Sequence, residues 1–204
     1  YGSVQTRFEK IKEITTILAF AAHYAKDSVG LLLFSDEVEF IIEPKNLSSH
    51  VHFLLQKLHE CQITPHKKTN LSELLSYIAK KWYKDAIVFV ISDFIDDCFD
   101  DTLRAAATRV DLVAVRCYDP IERVIPAAGY LMLEDVESGE SLYVKTEGTE
   151  GDLAQLLHYR LKKQDKLFAQ TGIDVVDISY HCDACARLIE FFKRRMIHAS
   201  VRCG

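Results

Sequence analysis

The segment AIVFVIS, Ala86 to Ser92, is apolar at every position but its last. A strand that is wet on one face alternates polar and apolar residues. A run without alternation reads as a strand covered on both faces, as in a parallel sheet sandwiched by helices. VGLLLF, Val29 to Phe34, has the same character, and DLVAVRCYD, Asp111 to Asp119, and IDVVDIS, Ile173 to Ser179, read as further strands. Between them lie helical periods. Phe8, Ile11, Ile14, Leu18, Ala21 and Ala25 recur at threes and fours. Val51, Leu54, Leu55 and Leu58 mark a second helix with Ser48 or Ser49 as its N-cap, and Leu71, Leu74, Leu75 and Ile78 mark a third.

Residues Asp97 to Thr108 are acidic at the start and basic at the end, which suits a helix dipole. Gly151 to Ala169 reads as a helix stopped by Gly172, and Ala184 to Met196 as a last helix with a basic end. Val38 to Ile42 reads as a hairpin partner of the Val29 to Phe34 strand. Leu131 to Glu134 and Ser141 to Val144 flank the turn signal Glu137-Ser138-Gly139. No repeat or linker divides the chain. The alternation predicts one α/β domain over residues 1–204: a doubly wound, mostly parallel sheet with helices on both faces.

Composition narrows the function. With 204 residues, 49% of them hydrophobic and 27% charged, the chain can bury a core without staples. A net charge of -5 argues against a nucleic-acid partner. No apolar run is long enough for a membrane segment, and no secretory signal is visible, so the expected location is cytoplasmic. Six scattered cysteines suit reduced thiols better than a disulfide framework.

In open α/β sheets ligands bind beyond the carboxyl ends of the strands. Here those ends are Ser35-Asp36, Ser92-Asp93 and Tyr118-Asp119, three acidic residues expected on one rim. For Asp36 and Asp119 helix capping is the plainer reading. Asp93 is different, because Asp96, Asp97, Asp100 and Asp101 crowd the same loop, and such charge calls for solvent or a cation. Phe94 and Ile95 follow Asp93 and are expected to project beside it as an apolar centre for a partner. No P-loop, G-x-G-x-x-G or G-x-S-x-G is present, and no histidine pairs in sequence with an evident nucleophile. Cys182 and Cys185 form a Cys-x-x-Cys, but a second such pair for zinc is lacking, and they read as buried helix thiols.

The ordered series DSVGLLLFSD, HKKTNLSELL, IVFVISDF, DLVAVRCYDP, LEDVESGE and GIDVVDIS resembles one bacterial group. It is the domain of unknown function fifty-eight family, which is von Willebrand factor A-like, and the resemblance runs from Tyr1 to Arg195. It implies a von Willebrand factor A or Rossmann-like fold and a protein-binding module, not an enzyme. The implied partner is a MoxR-type AAA+ ATPase, acting with this module in the assembly or maturation of other proteins.

The family's metal site uses an Asp-x-Ser-x-Ser strand, a Thr and an Asp. Thr69 matches the Thr and Asp93 the Asp. The Asp-x-Ser-x-Ser strand, central in the sheet, is expected upstream of Tyr1, so the domain reads as N-terminally truncated. Mg or Mn is then expected in a fuller protein and not in this chain. The strands at Val29 to Phe34 and Ala86 to Ser92 should flank the place of that strand without pairing to each other. The expected partner surface is Asp93, Phe94, Ile95 and Asp36. The alternative is a Mg-dependent hydrolase using the acidic rim around Asp93.

Overall fold

The structure, a computed structural model, describes residues 7–61, 69–81, 85–96, 98–120, 130–134, 141–145 and 152–202. In chain order the elements are α1 (Arg7–Tyr24), β1 (Val29–Phe34), β2 (Val38–Lys45), α2 (Ser48–Glu60), α3 (Leu71–Lys80), β3 (Ile87–Ser92) and α4 (Asp100–Ala107). They continue with β4 (Asp111–Tyr118), β5 (Tyr130–Glu134), β6 (Ser141–Lys145), α5 (Asp152–Thr171), β7 (Asp174–Ser179) and α6 (Ala184–Arg202).

The apolar runs form the strands expected of them. β3, β4 and β7 make a parallel sheet in that order, in register from Ile87 opposite Asp111 and from Val113 opposite Asp174. β1 and β2 form an antiparallel pair, and β5 and β6 another, whose turn residues lie outside the described ones. In β1, Gly30 fits against β2 because it has no Cβ: one built there would lie 2.7 Å from the Ile42 carbonyl oxygen.

Side chains of the parallel sheet alternate between two helical layers, as the two-residue strand period requires. Val88, Val90, Leu112, Ala114 and Val175 pack with α3, α4 and α5 through Leu71, Leu75, Leu103 and Phe168. Phe89, Ile91, Val113, Val115, Val176 and Ile178 pack with α1 and α6 through Ile14, Leu188 and Phe191. β4, in the middle, is buried from Leu112 to Cys117. This is the parallel sheet with helices on both faces that the apolar runs predict.

Helix ends differ in detail from the sequence reading. α2 begins at Ser48 and its N-cap is Leu47, which makes no side-chain cap bond, so neither Ser48 nor Ser49 caps it. α3 is capped by Asn70, whose side chain accepts the Glu73 amide at 3.0 Å. Gly172 follows α5 with φ of 71°, the left-handed residue that ends a helix at little steric cost.

β1 and β3 are not hydrogen-bonded to each other. Among the described residues β1 pairs with β2 and β3 with β4, so each keeps an unpaired edge. Two helices span the interval. α1 gives Ile14 to the core under the parallel sheet and Ala19 to the core under β1, β2 and α2. On the opposite face, the cluster of α3 takes in both Val90 of β3 and Leu32 and Phe34 of β1. α1 and α3 thus each pack against residues of both strand groups, one on either face. β3 is less buried than β4 although only its Ser92 is polar, with Ile87 50% exposed.

Candidate functional site

The strand ends and the start of α3 meet on one rim. The Asn70 amide donates to the Ser35 carbonyl at 2.9 Å, tying the α3 loop to the end of β1. The Leu71 amide donates to Asp96 Oδ2 at 3.0 Å, tying α3 to the loop after β3. The Tyr180 amide donates to the Tyr118 carbonyl at 3.2 Å, joining the ends of β7 and β4. Arg7, at the first turn of α1, closes the set: its Nε donates to the Tyr180 hydroxyl at 2.6 Å and its Nη1 pairs with Asp93 Oδ2.

The expected site residues thus have definite places. Asp93 is half-buried, its Oδ2 held by Arg7 while its Oδ1 accepts the Ile95 amide at 3.1 Å. Asp36 is exposed at the end of β1 and accepts the Ser35 hydroxyl at 2.9 Å. Thr69 is half-buried immediately before the cap Asn70. Ile95 is 56% exposed and supplies apolar surface beside the acidic loop.

Phe94 corrects the sequence reading. It does not project from the loop but is fully buried, its ring 5.3 Å from that of Phe168 and 6.2 Å from that of Phe99. The cause is local. Phe94 has φ of 57°, and its amide donates to the Ser92 hydroxyl at 3.1 Å, so the chain turns back and drives the ring into the core. The apolar part of the expected partner surface reduces to Ile95.

Cys185 also differs from expectation. It is exposed and Cys182 is half-buried, and both are free thiols. The core face of α6 is set by Ala184, Leu188 and Phe191, which turns Cys185 outward.

A cleft of about 120 Å³ opens at the ends of β3 and β4 beneath α5, lined by Asp93, Ile95, Asp100, Arg116, Arg160 and Lys163 among others. Arg116 went unremarked in the sequence reading. It is 4% exposed and pairs with Asp177 at 2.7 Å and Asp165 at 2.9 Å. Burial alone would lower its pKa; the two carboxylates outweigh that and raise it, so the guanidinium stays charged. A sequence signal did exist: a single arginine inside an apolar strand, with an aspartate in IDVVDIS to face it. Arg116 and Asp177 are register partners. Beside them, burial first and the Asp93 charge second push the Cys117 thiol up to about 12, which leaves it protonated and non-nucleophilic at neutral pH.

The fit to a divalent metal can be judged on these donors. Asp93 and Thr69 are hard oxygen ligands, but Mg²⁺ takes an octahedral set. Arg7 already balances the Asp93 charge, and among the described residues no group of three or more His, Cys, Asp or Glu could hold an ion. The described residues do not by themselves make up a metal site.

Fold and rim define an α/β protein with a parallel sheet, helices on both faces and an acidic rim at the strand ends. Residues 1–154 match the family described as Protein of unknown function DUF58, and the chain belongs to that family. No curated protein matches it. Among solved structures it is similar to the conserved hypothetical protein BatB from Bacteroides thetaiotaomicron, with a TM-score of 0.58 at 15% identity over 96% of this chain and 90% of that one. It is also similar to an aerotolerance-related membrane protein from Bacteroides fragilis, with a TM-score of 0.56 at 14% identity over 90% and 85%. Both likenesses concern the fold. Among the described residues no helix is long and apolar enough to cross a membrane.

Proposed function

We propose that this chain is a von Willebrand factor A-like binding module, a single domain whose partner surface is the rim formed by Asp93, Ile95, Asp36 and the Thr69-Asn70 loop. Its partner in this reading is a MoxR-type AAA+ ATPase, with which it acts in the cytoplasm on the assembly or maturation of other proteins. One observation carries the reading: an exposed apolar side chain, Ile95, stands in an acidic loop whose Asp96 accepts the Leu71 amide at the start of α3, while the neighbouring Asn70 amide ties that start to the end of β1. An interface needs such an apolar point within a polar surround. The lack of pairing between β1 and β3 supports the von Willebrand factor A assignment, because a strand between them parallel to β3 would end on the same rim beside Asp93 and Thr69. That strand is where the remaining oxygen donors for Mg or Mn would come from.

The test is binding of the purified ATPase to the immobilised protein. Asp93→Ala and Ile95→Asp are expected to weaken it at least tenfold, about 1.4 kcal/mol or more. Arg109→Glu, in the exposed loop that enters β4 at the opposite end of the sheet, is expected to leave it unchanged. The reverse order of sensitivity would place the interface elsewhere.

A further inference from the structure

Arg116 is more than a buried ion pair. Its Nε and Nη2 donate to the two carboxylate oxygens of Asp177 at 2.7 and 3.0 Å, and its Nη1 donates to Gln164 Oε1 at 3.0 Å. With its oxygen so occupied, the Gln164 amide turns its nitrogen the other way, and Nε2 donates to the Phe94 carbonyl at 2.8 Å. Phe94 is the residue in the left-handed region, a conformation that persists in a non-glycine residue where its surroundings enforce it. Beside the local bond from its amide to the Ser92 hydroxyl, two contacts come from α5: Gln164 holds its carbonyl and Phe168 packs against its ring. The residues on either side of Phe94 are Asp93 and Ile95, the two rim residues on which the partner surface depends.

We propose that Gln164 and Arg116 are positioning residues that form a latch through which α5 fixes the conformation of Phe94 and so the placement of Asp93 and Ile95 on the rim. This rests on the reading of the rim as the partner surface. Burial of the arginine does not need this arrangement, since Asp177 and Asp165 already answer its charge, and a buried pair adds little stability over an apolar replacement. The relay through a side-chain amide to a strained carbonyl is what couples a helix to the rim. A displacement of α5 then reorients Asp93 and Ile95 without touching them, because the Phe94 carbonyl loses its donor.

Gln164→Glu separates the latch from packing. The carboxylate still accepts from Arg116 but has no proton to give the Phe94 carbonyl. The expected result is displaced backbone amide resonances for Asp93 to Ile95 in NMR spectra. A fall in affinity for the MoxR-type ATPase of roughly tenfold should accompany it, with the urea unfolding midpoint little changed. Gln164→Leu, which removes both bonds, should do the same and serves if the glutamate variant fails to fold. Unmoved Asp93 to Ile95 resonances in both variants would overturn the latch whatever the binding data. If Asp93→Ala weakens binding while Gln164→Glu moves the resonances without weakening it, the latch does not control binding and the proposal fails with the rim intact. If neither weakens binding, the rim reading fails, and the regulatory role with it.

Discussion

Cys117 faces the inner side of the sheet with no exposure, and its thiol is pushed up to about 12 against 9.0 for the free group. The folded value lies above the unfolded one, so the folded state holds the proton more tightly. Stability from this site is therefore complete below pH 9 and is lost as pH rises from 9 towards 12, by about 1.4 kcal/mol per unit. Urea unfolding above pH 9 should show the native protein losing stability faster than Cys117→Ala. Parallel curves would mean that the thiol ionises as readily when folded. At Phe94 and Ile95 the structure reverses what adjacency in sequence suggests. Phe94→Ala should cost about 3–5 kcal/mol as a core truncation, and Ile95→Asp within about 0.5 kcal/mol as a surface change. Similar costs for both would contradict the inward placement of Phe94. Two apolar neighbours after an aspartate look alike in a sequence. What separates them is a positive φ, and nothing in the string ISDFID announces one at a phenylalanine.

The strands were legible at the scale of the element because short continuous apolar runs bounded by turn residues suit strands covered on both faces. The helix starts were less so. Ser48 and Ser49 are suitable caps, yet both lie inside α2, whose N-cap position is Leu47, and Asn70 serves α3 while Thr69 beside it does not. Cys185 reads as a core thiol because free cysteines are so often buried; one helical step of about 100° from the buried Ala184 is enough to face it outward. The separation of β1 and β2 from the parallel sheet was not readable from the runs themselves. It followed from the family resemblance, and its physical sign is the incomplete burial of β3. Each strand directs alternate amides to its two edges, so in the 204-residue chain the β3 amides that face away from β4 should exchange with solvent faster than any amide in the middle of β4. Uniform protection along β3 would mean its edge is occupied.

The whole molecule combines a net charge of -5 with a sheet whose helical layers leave their strand ends open at one rim. Charge alone narrows the expected partners little. The rim was foreseeable from three strand ends that each carry an aspartate, and the family from six motifs in order. Arg116 and Gln164 were not foreseeable as a pair, since their meeting depends on how α5 lies across β4, which no local pattern encodes. In the proposed function this rim receives the partner. Amide hydrogen exchange of the protein with and without the MoxR-type ATPase tests it most directly. Slowed exchange confined to residues 35–36, 69–71 and 93–96 is expected. Slowing at residues 109–111 instead, at the opposite end of the sheet, or no slowing at all would contradict it.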